Sequence, residues 1–207
     1  MDSLLVLLAG PVQHAAPGLL GCRLTGGGVT VRLTEVEAYE GDGVDPASHA
    51  YRGRTARNAV MYGPAGFAYV YFTYGMHYCL NVVCGTAGHA SAVLLRAGEV
   101  VDGVDLAWSR RPAARTARDL ARGPARLAQA IGLDRSAYGT CMLDGSGPLL
   151  LRPPAVPVDP AVIRRGPRVG VTGGHDTPWR FWLDGDPTVS VYRRHTPRRR
   201  APRPSAS

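Results

Sequence analysis

Glu35 and Glu37 stand two residues apart in the segment TEVEAYEG, on a stretch whose alternation reads as a strand. Side chains two apart on a strand leave by one face, so both carboxylates project together while Val36 and Ala38 take the other. Paired carboxylates are the acid and base of glycoside cleavage, and a separation of roughly 5–9.5 Å serves one or the other stereochemical course. The same pair would also serve as two solvated strand-face charges answered by nearby arginines. Context favours chemistry: Tyr39 shares the face of Glu37, and the following loop supplies His49 in DPASHAYRG, so a carboxylate, a ring and an imidazole line one pocket. A metal centre built from Glu35, Glu37, Asp42, Asp45 and His49 is disfavoured, because the spacings match no ligand pattern and no second histidine is close. Neither metal nor cofactor is expected.

The segment FAYVYFTYGMHYCLNV carries a second signal. It reads as a hairpin, Phe67 to Phe72 and Met76 to Val83, with Tyr74 and Gly75 at the tip. Turns favour Gly, Asn and Asp, so a large ring there is unexpected. It is either a wedge that enters a minor groove and fills the gap left by a displaced base, or a ring folded back over the hairpin. Tyr69 and Tyr71 alternate with Val70 and Phe72, giving one face of tyrosines and one that packs.

These residues must be held by a small protein. The chain has 207 residues, 45% hydrophobic and 19% charged, which suits one packed domain and excludes a coiled-coil rod or a mainly disordered chain. The net charge of +8 directs the surface to polyanions such as nucleic acid or an acidic membrane face. Every basic side chain apart from histidine is arginine, whose planar fork suits phosphate oxygens and base stacking. The apolar start, MDSLLVLLAGPVQHAA, lacks a positive leader region, and no stretch reaches the roughly 20 apolar residues of a membrane span, so it reads as the first core segment of a cytoplasmic protein. Cys22, Cys79, Cys84 and Cys141 show no CxxC spacing and read as buried reduced thiols.

Strands dominate the pattern. Leu19 to Leu24 and Val29 to Tyr39 flank the turn Thr25 to Gly28. A polar loop from Glu40 to Pro64 carries Arg52, Arg54 and Arg57, and Ala90 to Glu99 reads as a further strand. Pro124 to Ile131 is the best helix, with Leu127, Ala128 and Ile131 on one face. Arg152 to Arg168 reads as a Pro-rich connecting loop, and strand-like sequence resumes from Val169 through Trp179 to Tyr192. Residues 1–195 form the expected domain, and 196–207 the expected disordered basic tail.

Taken in order, TEVEAYEG, DPASHAYRGRTARN, YVYFTYGMHYCLNV, AVLLRAGE, ARGPARLAQAIGL and PRVGV make a chain that resembles the alkyladenine (3-methyladenine, methylpurine) DNA glycosylase family from Leu19 to Tyr192. The resemblance implies a monomeric α+β domain built on a curved, mostly antiparallel sheet with a few helices and a protruding β-hairpin, without metal. It implies base excision repair: a damaged purine is flipped from double-stranded DNA and its N-glycosidic bond hydrolysed, leaving an abasic site. By that similarity Glu37 activates the water that attacks C1′, with Arg96 and the backbone carbonyl of Val169 helping to hold it. Tyr39, His49 and Tyr71 wall the extruded base, and Asn81 crowds the amino group of guanine. Tyr74 intercalates, and Gly75, Met76, Arg52, Arg54 and Arg57 complete the DNA-binding candidates. The loop between Tyr39 and His49 is one residue longer than in the vertebrate form, and the N-terminus is only weakly family-like. Alkylation at N3 or N7 makes a purine a cationic leaving group, which aromatic faces hold well. Two rivals remain at this level: a nucleoside or sugar hydrolase using Glu35 and Glu37 as acid and base, and a DNA-binding protein without turnover.

Overall fold

A computed structural model describes residues 3–73 and 75–195. The apolar start supplies core, as expected, but as two short helices, α1 (Ser3–Leu8) and α2 (Val12–Gly18), which bury Leu4, Leu8, Val12, Ala15 and Ala16. The first strand is shorter than its hydrophobicity suggests. Leu19 to Cys22 close a turn on the end of α2, with the Cys22 amide donating to the Leu19 carbonyl, and β1 is Arg23–Gly26. Gly27 and Gly28 both have positive φ, 52° and 79°, the two-residue turn that matches strand twist, and they lead into β2 (Val29–Glu40). The expected hairpin is present as β3 (Ala68–Thr73) and β4 (His77–Val83), followed by β5 (Ser91–Asp102).

Helix α3 (Val104–Arg110), which the sequence pattern did not reveal, precedes α4 (Pro124–Ala130), whose Leu127, Ala128 and adjoining Ile131 are buried as expected. The last strands are β6 (Leu149–Arg152), β7 (Ile163–Gly166) and β8 (Arg180–Leu183). Strand β7 corrects the reading of Arg152 to Arg168 as loop throughout: Pro153, Pro154, Pro157 and Pro160 precede Ile163 and Pro167 follows Gly166, leaving four proline-free residues to pair as an edge with β8. Conversely, β8 is the only strand in the run from Val169 to Tyr192.

All pairings are antiparallel, in the order β3-β4-β5-β2-β1-β6, with β8 alongside β2 and β7 outside it, a curled half-barrel. This is the α+β single domain that the sequence suggested. Among the described residues no helix is long and apolar enough to cross a membrane. Cys22, Cys79 and Cys84 are buried and Cys141 is half-buried, all as free thiols, and burial pushes Cys22 up to about 12.

The centre of the sheet carries two irregularities. Along β2 and β5, Leu33 faces Gly98, Glu35 faces Ala97, and Val36 faces Leu95. The ladder thus passes over Thr34 on one strand and Arg96 on the other. Each bulge turns its strand's faces over. Val29, Val31 and Leu33 enter the core before the first bulge, Val36 and Ala38 after it, and Glu35, Glu37 and Tyr39 are thereby left on the opposite face.

Candidate active site

The face released by the bulges opens into a cavity of about 650 Å³ lined by Glu37, Tyr39, His49, Tyr71, Asn81, Arg96 and Val169, all predicted from sequence. Glu35 and Glu37 are fully buried, so they are not solvated charges. Their surroundings differ. The Glu35 carboxylate accepts from Arg96 Nε at 2.8 Å, Arg180 Nε at 2.6 Å, the Ser190 hydroxyl at 2.9 Å and the Ser190 amide at 2.7 Å. Four donors saturate it. Glu37 accepts only from the Val169 amide at 2.7 Å and the Tyr39 hydroxyl at 2.8 Å, with Arg96 Nη1 at 3.5 Å, and so retains lone pairs for a molecule in the cavity.

Arg96 is the extra residue of the β5 bulge, and this is why one guanidinium reaches both acids. Burial would lower its pKa, but Glu37 and Glu35 outweigh that and raise it. Val169 donates its N–H to Glu37, a contact separate from the water-holding role that the resemblance gives to its carbonyl. Burial and then Glu37 push the Tyr39 hydroxyl well above its ordinary value, so it stays a donor.

The base-sized part of the cavity is aromatic. His49 packs edge-on against Tyr71, ring centroids 4.6 Å apart, and its Nδ1 is 2.9 Å from the Tyr69 hydroxyl. The extra residue in the loop before it does not displace His49 from the cavity. Burial, then the charge of Arg57, lowers its pKa and keeps it neutral. Asn81 Nδ2 donates to the Tyr69 carbonyl at 3.0 Å, fixing the amide beside the rings.

The loop from Glu40 to Pro64 is folded down by a buried Asn58, which donates to the carbonyls of His49 and Gly53, and by a 3₁₀ turn over Ala59–Tyr62. Arg52, Arg54 and Arg57 are exposed, and Arg57 reaches over the outer side of Tyr71 at 5.6 Å. At the hairpin tip Gly75 takes the positive φ of 66° that the turn requires and Met76 is exposed, while Tyr74 lies outside the described residues. Among the described residues, acidic, histidine and cysteine side chains form no cluster able to hold a metal.

Sequence reasoning missed several parts. Tyr69 was seen only as a member of an alternating face, though its period-two partner Tyr71 marked it for the pocket. Arg180 and Ser190, which consume Glu35, and the buried pair Asp45 and Arg168 had no local signal, because their partners are 123 to 155 residues away.

A half-barrel holding one available buried carboxylate at the base of an aromatic cleft defines a glycosidic-bond hydrolase for a planar leaving group. The chain belongs to the methylpurine-DNA glycosylase family, whose model matches residues 7–187, and is thus a DNA glycosylase of base excision repair. It is 58% identical over 199 residues to a Streptomyces avermitilis protein, covering 93% of this chain and 92% of the relative. It is 57% identical to one from Nocardia farcinica, covering 87% and 86%, and 48% identical to one from Mycobacterium bovis, covering 93% and 94%. All three relatives carry names that assign them as 3-methyladenine DNA glycosylases.

Proposed function

We propose that this chain, acting as a cytoplasmic, nucleoid-associated monomer, flips alkylated or deaminated purines out of duplex DNA and hydrolyses their N-glycosidic bond with Glu37 as base. The observation that carries this reading is the asymmetry of the two acids: four donors saturate Glu35, while Glu37 keeps lone pairs facing the cavity. Glu35 is turned to its four donors and does not line the cavity, so it has no approach to a leaving group there, which argues against an acid and base pair. A single fixed carboxylate both accepts the proton of the attacking water and stabilises positive charge developing on the sugar. Arg96 and Val169 hold Glu37 and the water, and Tyr39, His49 and Tyr71 enclose the base. Asn81 excludes guanine. Tyr74 fills the gap in the stack, while Gly75, Met76, Arg52, Arg54 and Arg57 line the DNA. Residues 1–195 are the working domain, and 196–207, outside the described residues apart from this assignment, are a basic tail that adds nonspecific affinity.

Excision from duplexes containing hypoxanthine, ethenoadenine or methylated purines, with a gel shift on abasic DNA from the same preparation, tests it. Release of at least one damaged base with an intact abasic strand is expected. Binding without release would identify a DNA-binding protein, and release from free nucleosides alone a nucleoside hydrolase.

A further inference from the structure

Behind the pocket lies an ion pair that the proposed reaction does not use. Arg168 gives Nη1 to Asp45 Oδ2 at 2.5 Å and Nη2 to Asp45 Oδ1 at 2.7 Å, and Nη1 also reaches the Ala38 carbonyl at 2.9 Å. Neither side chain is more than 1% exposed. The Nε N–H has no hydrogen-bond partner. Aromatic surface surrounds the guanidinium instead: its Cζ stands 4.7 Å over the Tyr39 ring and 5.5 Å over Trp179. Tyr39 lines the cavity and Arg168 does not, so the guanidinium occupies ring surface that a bound base cannot reach.

We propose that Arg168, neutralised by Asp45, is a specificity-determining support acting through Tyr39: by engaging the π cloud from behind, it lowers the ring's preference for a cationic base over a neutral one. The proposal rests on the reading of Tyr39 as a stacking wall. A ring attracts a cation through the negative potential of its faces, and a cation already seated on one face opposes a second across it. Burial sharpens that opposition, because little water screens it. Asp45 brings the pair to zero net charge, but its carboxylate is bound at the Nη1 and Nη2 edge of the guanidinium while Cζ stands over the ring, so Tyr39 responds chiefly to the cation. The arrangement makes chemical sense. A cationic alkylpurine is already a good leaving group, whereas a neutral lesion depends on the enzyme, and a pocket tuned to positive charge would favour the substrate that needs it least.

The test is the ratio of single-turnover excision rates for a cationic lesion, 7-methylguanine or 3-methyladenine, against neutral hypoxanthine. Replacing the pair with a neutral one, Asp45→Asn with Arg168→Gln, should raise the cationic-to-neutral ratio by about threefold or more. Asp45→Asn alone leaves the guanidinium uncompensated and should move the ratio the opposite way, so whichever variant folds decides the matter. A purely structural role would slow both lesions by one factor, and an unmoved ratio in a folded variant overturns the proposal. If the unaltered chain excises neither lesion, it is the glycosylase reading that fails.

Discussion

At the centre of the β2–β5 ladder the pairing passes over Thr34 on one strand and Arg96 on the other, and the second bulge restores the register that the first disturbs. From Val31 to Leu33 and from Val36 to Glu40 the pairing is regular, and the change of face at Thr34 leaves Glu35 and Glu37 on the cavity side. Arg96 is delivered to Glu35 and Glu37 by the same device.

The two glutamates should separate cleanly under mutation. Glu37→Gln keeps size and most contacts but removes base and charge, so single-turnover excision should fall by about 10²–10⁴-fold with DNA binding and thermal stability nearly kept. Glu35→Gln instead strips the counter-charge from Arg96 and Arg180, and breaking such a buried network costs on the order of 3–5 kcal/mol, seen as a lower melting temperature. The reverse pattern would move the catalytic assignment to Glu35.

His49 predicts an acid limb in stability. Burial, then Arg57, holds its pKa below the ordinary 6.5. The folded protein therefore binds fewer protons than the unfolded chain just below pH 6.5. The stability contributed by neutral His49 is complete above about pH 6.5 and is lost as pH falls through the depressed folded value. Melting curves between pH 5 and 8, values near that titration range, should show this slope in the unaltered chain and a shallower one in His49→Asn. Equal slopes would remove His49 from the account.

Asn81 is buried and tethered to the Tyr69 carbonyl, so it cannot swing away from an entering base. Asn81→Ser shortens the side chain and should relax selection against guanine, read as the ratio of guanine to hypoxanthine released. No change in that ratio would undo the gatekeeper role.

The chain contains no lysine, and thus no side-chain amine able to form a Schiff base with an abasic sugar. Borohydride should trap no covalent complex, and the product strand should stay intact until base is added. A trapped complex that survives blocking of the N-terminal amine would overturn a water-only mechanism.

Much of this was legible in the sequence, because the site residues belong to a few short segments. The change of strand face can be read in VTVRLTEVEAY, where apolar residues fall at 29, 31 and 33 and then at 36 and 38. That slip of phase is the bulge at Thr34, although the alternation alone did not announce it. Helices α1, α2 and α3, six or seven residues long, give too few turns for a period to emerge, and they lack the Gly123-Pro124 start that marks the equally short α4. The Arg168 and Asp45 pair was hidden for another reason: each charge resembles a surface residue until tertiary contacts bury it.

The four donors that saturate Glu35 include Arg180 and both polar groups of Ser190, residues the ribosome delivers 145 and 155 positions later. Until that segment docks, a carboxylate at the centre of the sheet faces an unfinished interior. A chain clipped just before Ser190 would have the aromatic cleft and most of the core yet lack two of the four donors that hold its central acid in place. The central acid is therefore fully partnered only once the segment from Arg180 to Ser190 has docked.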